Sequence, residues 1–174
     1  LIWIEPYRLQ RFMSFTNPWS EPFDTGFQLV QALIAFGRGE WMGVGLGARI
    51  QTLYYLPHAS NDFLLAVIAE ELGLLGVSVV IALFAVVLWR AFVIARRAEM
   101  LGMFYAARLA EGLGLLLVIQ AMINMGVNMG LLPTKGLTLP LMSYGGSSML
   151  ATCFALGLLF AVDRSAQVAG GGRR

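Results

Sequence analysis

The chain has few of the residues that soluble proteins place on their surfaces. Only 13% of its 174 residues are charged, against 58% hydrophobic, where a soluble domain carries about 25% and about 45–50%. That excludes an ordinary water-soluble domain and points to an integral membrane protein. There is one cysteine, Cys153, in an apolar run. No disulfide can form within the chain, and the thiol reads as a small buried hydrophobe. There is one histidine, His58, in a loop context without a second ligand candidate, so no metal-ligand pattern is present. No basic stripe interleaves with stacking aromatics, which argues against a nucleic-acid partner. No Met and no signal peptide open the chain, and Leu1-Ile-Trp-Ile4 looks like the tail of an apolar span in progress. The expectation is the C-terminal part of a longer membrane protein, without internal repeats.

What is present is arranged in spans. A bilayer core of about 30 Å needs roughly 20 apolar residues per helix. Three segments come near that, at 62–90, 112–132 and a shorter one at 147–162. The expected fold is an all-α polytopic membrane helix bundle. Residues 1–7 are read as the end of a preceding transmembrane helix and 8–61 as a large outer loop rich in Gly, Pro and aromatics. Within that loop, Leu29 to Phe36 is too short to span and predicts an interfacial or re-entrant helix. Pro133, Gly136, Pro140, Gly145 and Gly146 prevent one continuous helix over 133–148. Arg90, Arg96, Arg97 and Arg108 face one acid, Glu99, in the short connection, and Arg164, Arg173 and Arg174 follow the last span. The positive-inside rule makes that side cytoplasmic, with 163–174 as a cytoplasmic tail whose end, 169–174, is expected to be disordered. Asp62 and the two long loops then share the outer side. The arginines there, Arg8, Arg11, Arg38 and Arg49, are offset by Glu5, Glu21, Asp24 and Glu40.

Acids are rare in hydrocarbon unless they do something. Asp62 heads the first full span, and Glu70 and Glu71 lie inside the same helix. The bland account of Asp62 is capping, where a carboxylate near a helix N-terminus gains about 0.3–1 kcal/mol; Asn61 or Ser60 would then be the N-cap residue. Glu70 and Glu71 point to different faces. Either they pair with an arginine such as Arg38 or Arg49, or one shares the Asp62 cavity while the other pins a loop. Gln120, Asn124 and Asn128 fall on one helix face. They suit interhelical hydrogen bonding, or the lining of a polar cavity. Gly43, Gly45 and Gly47 permit close backbone approach but follow no strand, so they are no nucleotide fingerprint.

Three stretches carry a family resemblance. The first is Tyr7-Arg8-Leu-Gln-Arg11-Phe with Asn17-Pro18-Trp19 and Gly26-Phe27-Gln28. The second is Gly37-Arg38-Gly39-Glu40, Gly45-Leu46-Gly47, Leu56-Pro57 and Asp62-Phe63, leading to Glu70-Glu71-Leu72-Gly73. The third is Leu132-Pro133-Thr134-Lys135-Gly136-Leu137-Thr138-Leu139-Pro140 through Ser143-Tyr144-Gly145-Gly146-Ser147-Ser148. Over nearly its whole length the chain resembles the SEDS family (shape, elongation, division and sporulation), and its third stretch is most similar to the cell-division branch. His58, Ser60, Asn61 and Thr52 depart from that family's usual pattern around the acid.

The resemblance implies a peptidoglycan glycosyltransferase that polymerises lipid II into glycan strands in septal wall synthesis. It implies the inner membrane at the division site as the location, with a class B penicillin-binding protein and other division-machinery membrane proteins as partners. Its essential acid maps onto Asp62, and the Gln of its Gly-Tyr-Gln motif onto Gln28. Substrate-binding candidates on the matching motifs are Gln28, Arg38, Arg49, Glu70, Lys135, Ser143 and Ser147. Inverting transfer needs a base on the acceptor hydroxyl, a role suited to Asp62, and cationic relief of the leaving pyrophosphate by arginine, lysine or a divalent cation such as Mg or Mn. Two other classes fit a membrane bundle with a polar face: a lipid II flippase and a non-catalytic division scaffold. Polar motifs clustered on one side favour the enzyme over the transporter.

Overall fold

The computed structural model describes residues 27–45, 62–133 and 136–171. Among them are four helices and no strand: α1 Phe27–Gly39, α2 Leu64–Met100, α3 Phe104–Asn128 and α4 Gly146–Gly171. The all-α helix bundle expected from the sequence is the observed class. Helices α2, α3 and α4 are long and apolar enough to cross a membrane.

The helix ends differ from the expectation. The span expected over 62–90 runs on to Met100, and the one expected at 112–132 begins at Phe104. The connection between them is only Leu101 to Met103, closed by Gly102 at φ 79° and by Leu101, Gly102 and Met103 N–H groups donating to Ala98 and Glu99 carbonyls. The arginines expected in a loop therefore sit on helices α2 and α3. The helix of the last expected span does not stop at 162 but continues to Gly171. Asp163 lies 3.8 Å from Arg97 and accepts a hydrogen bond from Gln167 at 2.9 Å, so the first turns of the expected tail are docked helix. Hydropathy ends where charge begins, but the backbone ladder has no reason to stop there.

Small residues hold the helices close. Ala91, Ala95 and Ala98 of α2 meet Ala107 and Ala110 of α3, with Leu159, Val162 and Ala166 of α4 completing the cluster. A Cβ at Gly114 would stand 2.4 Å from that of Ala91. Cys153 is exposed, beside the exposed Leu150 and Phe154. This corrects its expected burial: in an apolar span, hydrophobicity does not distinguish the packed face from the outward one.

Helix α2 is not one rod. Gly73 has φ 65° and ψ −159°, which breaks the ladder. Asn128 of α3 reaches Ala66 and Gly114 of α3 meets Ala91. Fourteen residues of α3, about 21 Å, thus face twenty-five of α2, about 37 Å, which a straight α2 could not satisfy. Four groups at the break are answered by the chain after α1. Val44 and Gly45 N–H donate to the Glu70 and Glu71 carbonyls at 2.9 and 3.2 Å, and Leu74 and Leu75 N–H donate to the Glu40 and Trp41 carbonyls at 2.9 and 3.3 Å. An interrupted helix persists where its freed backbone groups are satisfied inside the protein.

Helix α1 is the short helix expected around Leu29 to Phe36. It runs parallel to the first part of α2: Ala32 and Ala35 pack with Phe63 and Ala66, and Gly39 abuts Ala69. At 13 residues it spans about 20 Å, too little to cross. It starts at the Asp62 end and finishes at the Gly73 break, and the chain is back at its starting end by Asp62.

Candidate functional site

The candidate site is built around Asp62, two residues before the start of α2. The capping account does not hold for its side chain. The N-cap residue is Phe63, without a side-chain cap bond. The cap comes instead from another helix. Oδ1 of Asn128 accepts the Ala66 N–H at 3.3 Å, the donor that an N-cap side chain normally satisfies. The Asp62 backbone carbonyl accepts from Nδ2 of Asn124 at 3.0 Å and from Nδ2 of Asn128 at 2.9 Å. Both asparagines are fully buried.

The wall facing Asp62 is the 136–145 loop. A Cβ at Gly136 would lie 3.1 Å from Oδ2 of Asp62, so a side chain there would crowd the carboxylate. The loop is held from several sides. Asn124 Nδ2 donates to the Leu137 carbonyl, and Gln120 Nε2 donates to the Thr138 carbonyl at 3.2 Å. The Thr138 and Ser148 hydroxyls share a 2.7 Å hydrogen bond, and Ser143 Oγ accepts the Leu139 N–H at 2.9 Å. Leu139 and Pro140 are buried beneath it. The amide face of α3 therefore binds main-chain groups of the loop, of Asp62 and of α2, the last being the interhelical bond expected for it. Its spacing is visible in the sequence; its targets, being main-chain groups, are not.

The remaining candidates distribute as follows. Gln28 is half-buried in the first turn of α1, one turn before Ala32, which packs with Phe63; it stands at the Asp62 end. Arg38 and Glu70 lie at the opposite end of α1, paired at 3.6 Å, with Glu70 fully buried. That is the arginine-pairing account of Glu70, and it turns the carboxylate away from the surface. Ser143 is buried inside its turn, while Ser147 is exposed in the first turn of α4. Arg49, Lys135, Thr52, His58, Ser60 and Asn61 lie outside the described residues.

The Arg38–Glu70 pair makes a stability prediction. Arg38→Ala leaves a carboxylate buried beside the helix break and should lower stability by about 1–3 kcal/mol. Glu70→Gln removes charge and solvation demand together and should lower it less. Thermal unfolding of the purified full-length protein decides, and the reverse ranking would show that the pair is not what holds Glu70.

The family profile described as cell cycle protein, that of FtsW, RodA and SpoVE, matches residues 1–168. A probable peptidoglycan glycosyltransferase FtsW of Methylococcus capsulatus is 61% identical over 177 residues, covering 100% of this chain and 44% of the relative. Its counterpart in Thioalkalivibrio sulfidiphilus is 63% identical over 159 residues, covering 91% of this chain and 40% of the relative. The chain thus spans less than half the length of these relatives. A chain from a solved structure, described as structural coordination of polymerization and crosslinking by a peptidoglycan synthase complex, superposes with a TM-score of 0.66 at 33% identity, covering 95% of this chain and 44% of that one. With three membrane-length helices, a broken helix at Gly73 and a fastened loop at Asp62, this chain belongs to the FtsW, RodA and SpoVE family of multi-pass membrane proteins.

Proposed function

We propose that this chain carries the acid of a peptidoglycan glycosyltransferase that polymerises lipid II, with Asp62 as general base. The observation that supports it most is a carboxylate set against a glycine loop, where a Cβ added at Gly136 would stand only 3.1 Å from Oδ2, with the Asp62 carbonyl and the loop both held by buried amides. In the reaction, the acceptor's 4-hydroxyl attacks the anomeric carbon of the donor glycan. The carbon–oxygen bond to the undecaprenyl pyrophosphate breaks with inversion, and the hydroxyl proton passes to the Asp62 carboxylate. A positioned base contributes about 10²–10⁴-fold, roughly 3–5 kcal/mol of barrier.

Charge relief at the departing pyrophosphate falls to cations. Arg38 is engaged with Glu70 at the other end of α1. Lys135 directly precedes Gly136 in the chain and is the cation this reading favours. Among the described residues no group of three or more His, Cys, Asp or Glu could hold a metal ion. The septum is the proposed place of action. The proposed partner is a class B penicillin-binding protein, in keeping with the synthase complex that the solved structure describes.

The deciding experiment is polymerisation of purified lipid II by the full-length protein and by Asp62→Asn. A second measurement concerns Gln28, whose place at the Asp62 end suits a hydrogen bond to substrate. Gln28→Ala should cut the polymerisation rate about tenfold while leaving membrane insertion unchanged. Unchanged rate and strand length would make Gln28 structural only.

A further inference from the structure

We propose that Asn124 and Asn128 are positioning residues that set the gap between the Asp62 carboxylate and the 136–139 loop. The inference rests on the reading of Asp62 as the base. Asn124 spends both amide hydrogens on the two sides of the gap, one on the Asp62 carbonyl and one on the Leu137 carbonyl. A single side chain thus ties the residue bearing the acid to the segment facing it. Asn128 completes the hold: its Nδ2 donates to the Asp62 carbonyl and to the Asn124 carbonyl, each at 2.9 Å, while its Oδ1 receives Ala66 N–H.

The carbonyl of Asp62 therefore accepts two amide donors, filling both of its lone pairs. Its peptide plane has no rotational freedom left that does not break a buried hydrogen bond. Neither α2 nor the loop could supply this by itself. Helix α2 begins at Leu64 and has no side-chain cap of its own, and the loop has no ladder. The amide face of α3 is the common reference for both. Displacement of about 1 Å at a reacting centre can reduce turnover about 10²-fold, so the clamp acts on rate through geometry and touches no substrate itself.

The test uses full-length protein in detergent or nanodiscs. Asn124→Leu keeps the number and branching of the side-chain heavy atoms and removes both donors. It should lower kcat for lipid II polymerisation about 10- to 100-fold with KM within about twofold. A readout independent of activity is disulfide trapping between Asp62→Cys and Gly136→Cys in a Cys153→Ser background, which should slow at least about fivefold when Asn124→Leu is added. Asn124→Gln, which restores an amide donor, should recover part of both, as a change in packing alone would not. If Asn124→Leu fails to insert, Asn124→Ser takes its place with the same expectations. Unchanged kcat in the Leu or Ser variant overturns the proposal, whether or not trapping slows. Polymerisation by Asp62→Asn would instead overturn the base assignment, while trapping would still report whether the amides hold the gap.

Discussion

Asp62→Asn in the full-length protein should abolish polymerisation of purified lipid II, with residual activity below about one part in 10². The substitution is isosteric. It leaves untouched the backbone carbonyl that Asn124 and Asn128 hold, so α2 should still begin at Leu64 and the loop should still stand at Gly136. Folding, insertion and binding of a transpeptidase partner should therefore match the parent protein. Only the group able to accept the hydroxyl proton is lost. A thermal midpoint equal to the parent's with no glycan strands on a gel is the expected pair of results. Strands of normal length and rate from this variant would end the assignment, and a large fall in stability would move Asp62 from chemistry to structure.

The second large effect is structural and falls at the break in α2. A Cβ at Gly39 would sit 1.7 Å from the Ala69 carbonyl oxygen, and one at Gly73 would sit 2.5 Å from Gly43 N and 2.7 Å from the Gly39 carbonyl oxygen. All of these are backbone atoms, which cannot swing aside as a side-chain tip can. Gly73 also has φ 65° and ψ −159°, a region essentially reserved for glycine that costs an L-residue about 1–3 kcal/mol. With the overpacking added, Gly39→Ala and Gly73→Ala should each destabilise by about 2–5 kcal/mol. Given the marginal stability of proteins, either should reduce folded protein in the membrane. Gly37→Ala and Gly112→Ala are the controls. Both positions are helical and a Cβ there meets nothing within 4 Å, so each should gain up to about 1 kcal/mol of helix propensity. Unfolding of the purified variants, followed by a size-exclusion thermal series, ranks the four. Equal behaviour at Gly37 and Gly39 would mean that α1 does not dock on α2 as described.

That junction explains why a helix as short as α1 belongs to the site at all. The 40–45 segment that follows it supplies hydrogen bonds that α2 lacks across Gly73. The part of α2 preceded by Asp62 is consequently bonded to that segment as well as continued by its own chain. Gln28 and Asp62 share one end of this unit, and Arg38 with Glu70 stabilises the other.

Much of this architecture is legible in the amino-acid sequence. The apolar runs and the scarcity of charge determine three membrane-length helices and an all-α bundle, because hydrocarbon thickness and backbone hydrogen bonding admit little else. The acid at the head of a span, the four-residue spacing of Gln120, Asn124 and Asn128, and the wording of the 132–148 motif single out the site. Three features are not legible there. Hydropathy reports burial in lipid, while a helix ends where its ladder does; Met100 and Gly171 therefore lie beyond the apolar stretches. The break at Gly73 has no local mark, because the glycine reads as one among many until the partners of its freed carbonyls are known. The outward face of Cys153 is hidden because a span is apolar on every side.

Asp62 shows the division most clearly. Its sequence position determines that a carboxylate stands at the mouth of a helix, and residue type with local periodicity suffices for that. That its carboxylate faces Gly136, and that Asn124 and Asn128, 62 and 66 residues away, hold its carbonyl, is decided by the tertiary structure alone. These contacts run from side chain to main chain across long sequence separation. Every residue offers the same carbonyl, so composition and spacing carry no mark of which one is chosen until the helices pack.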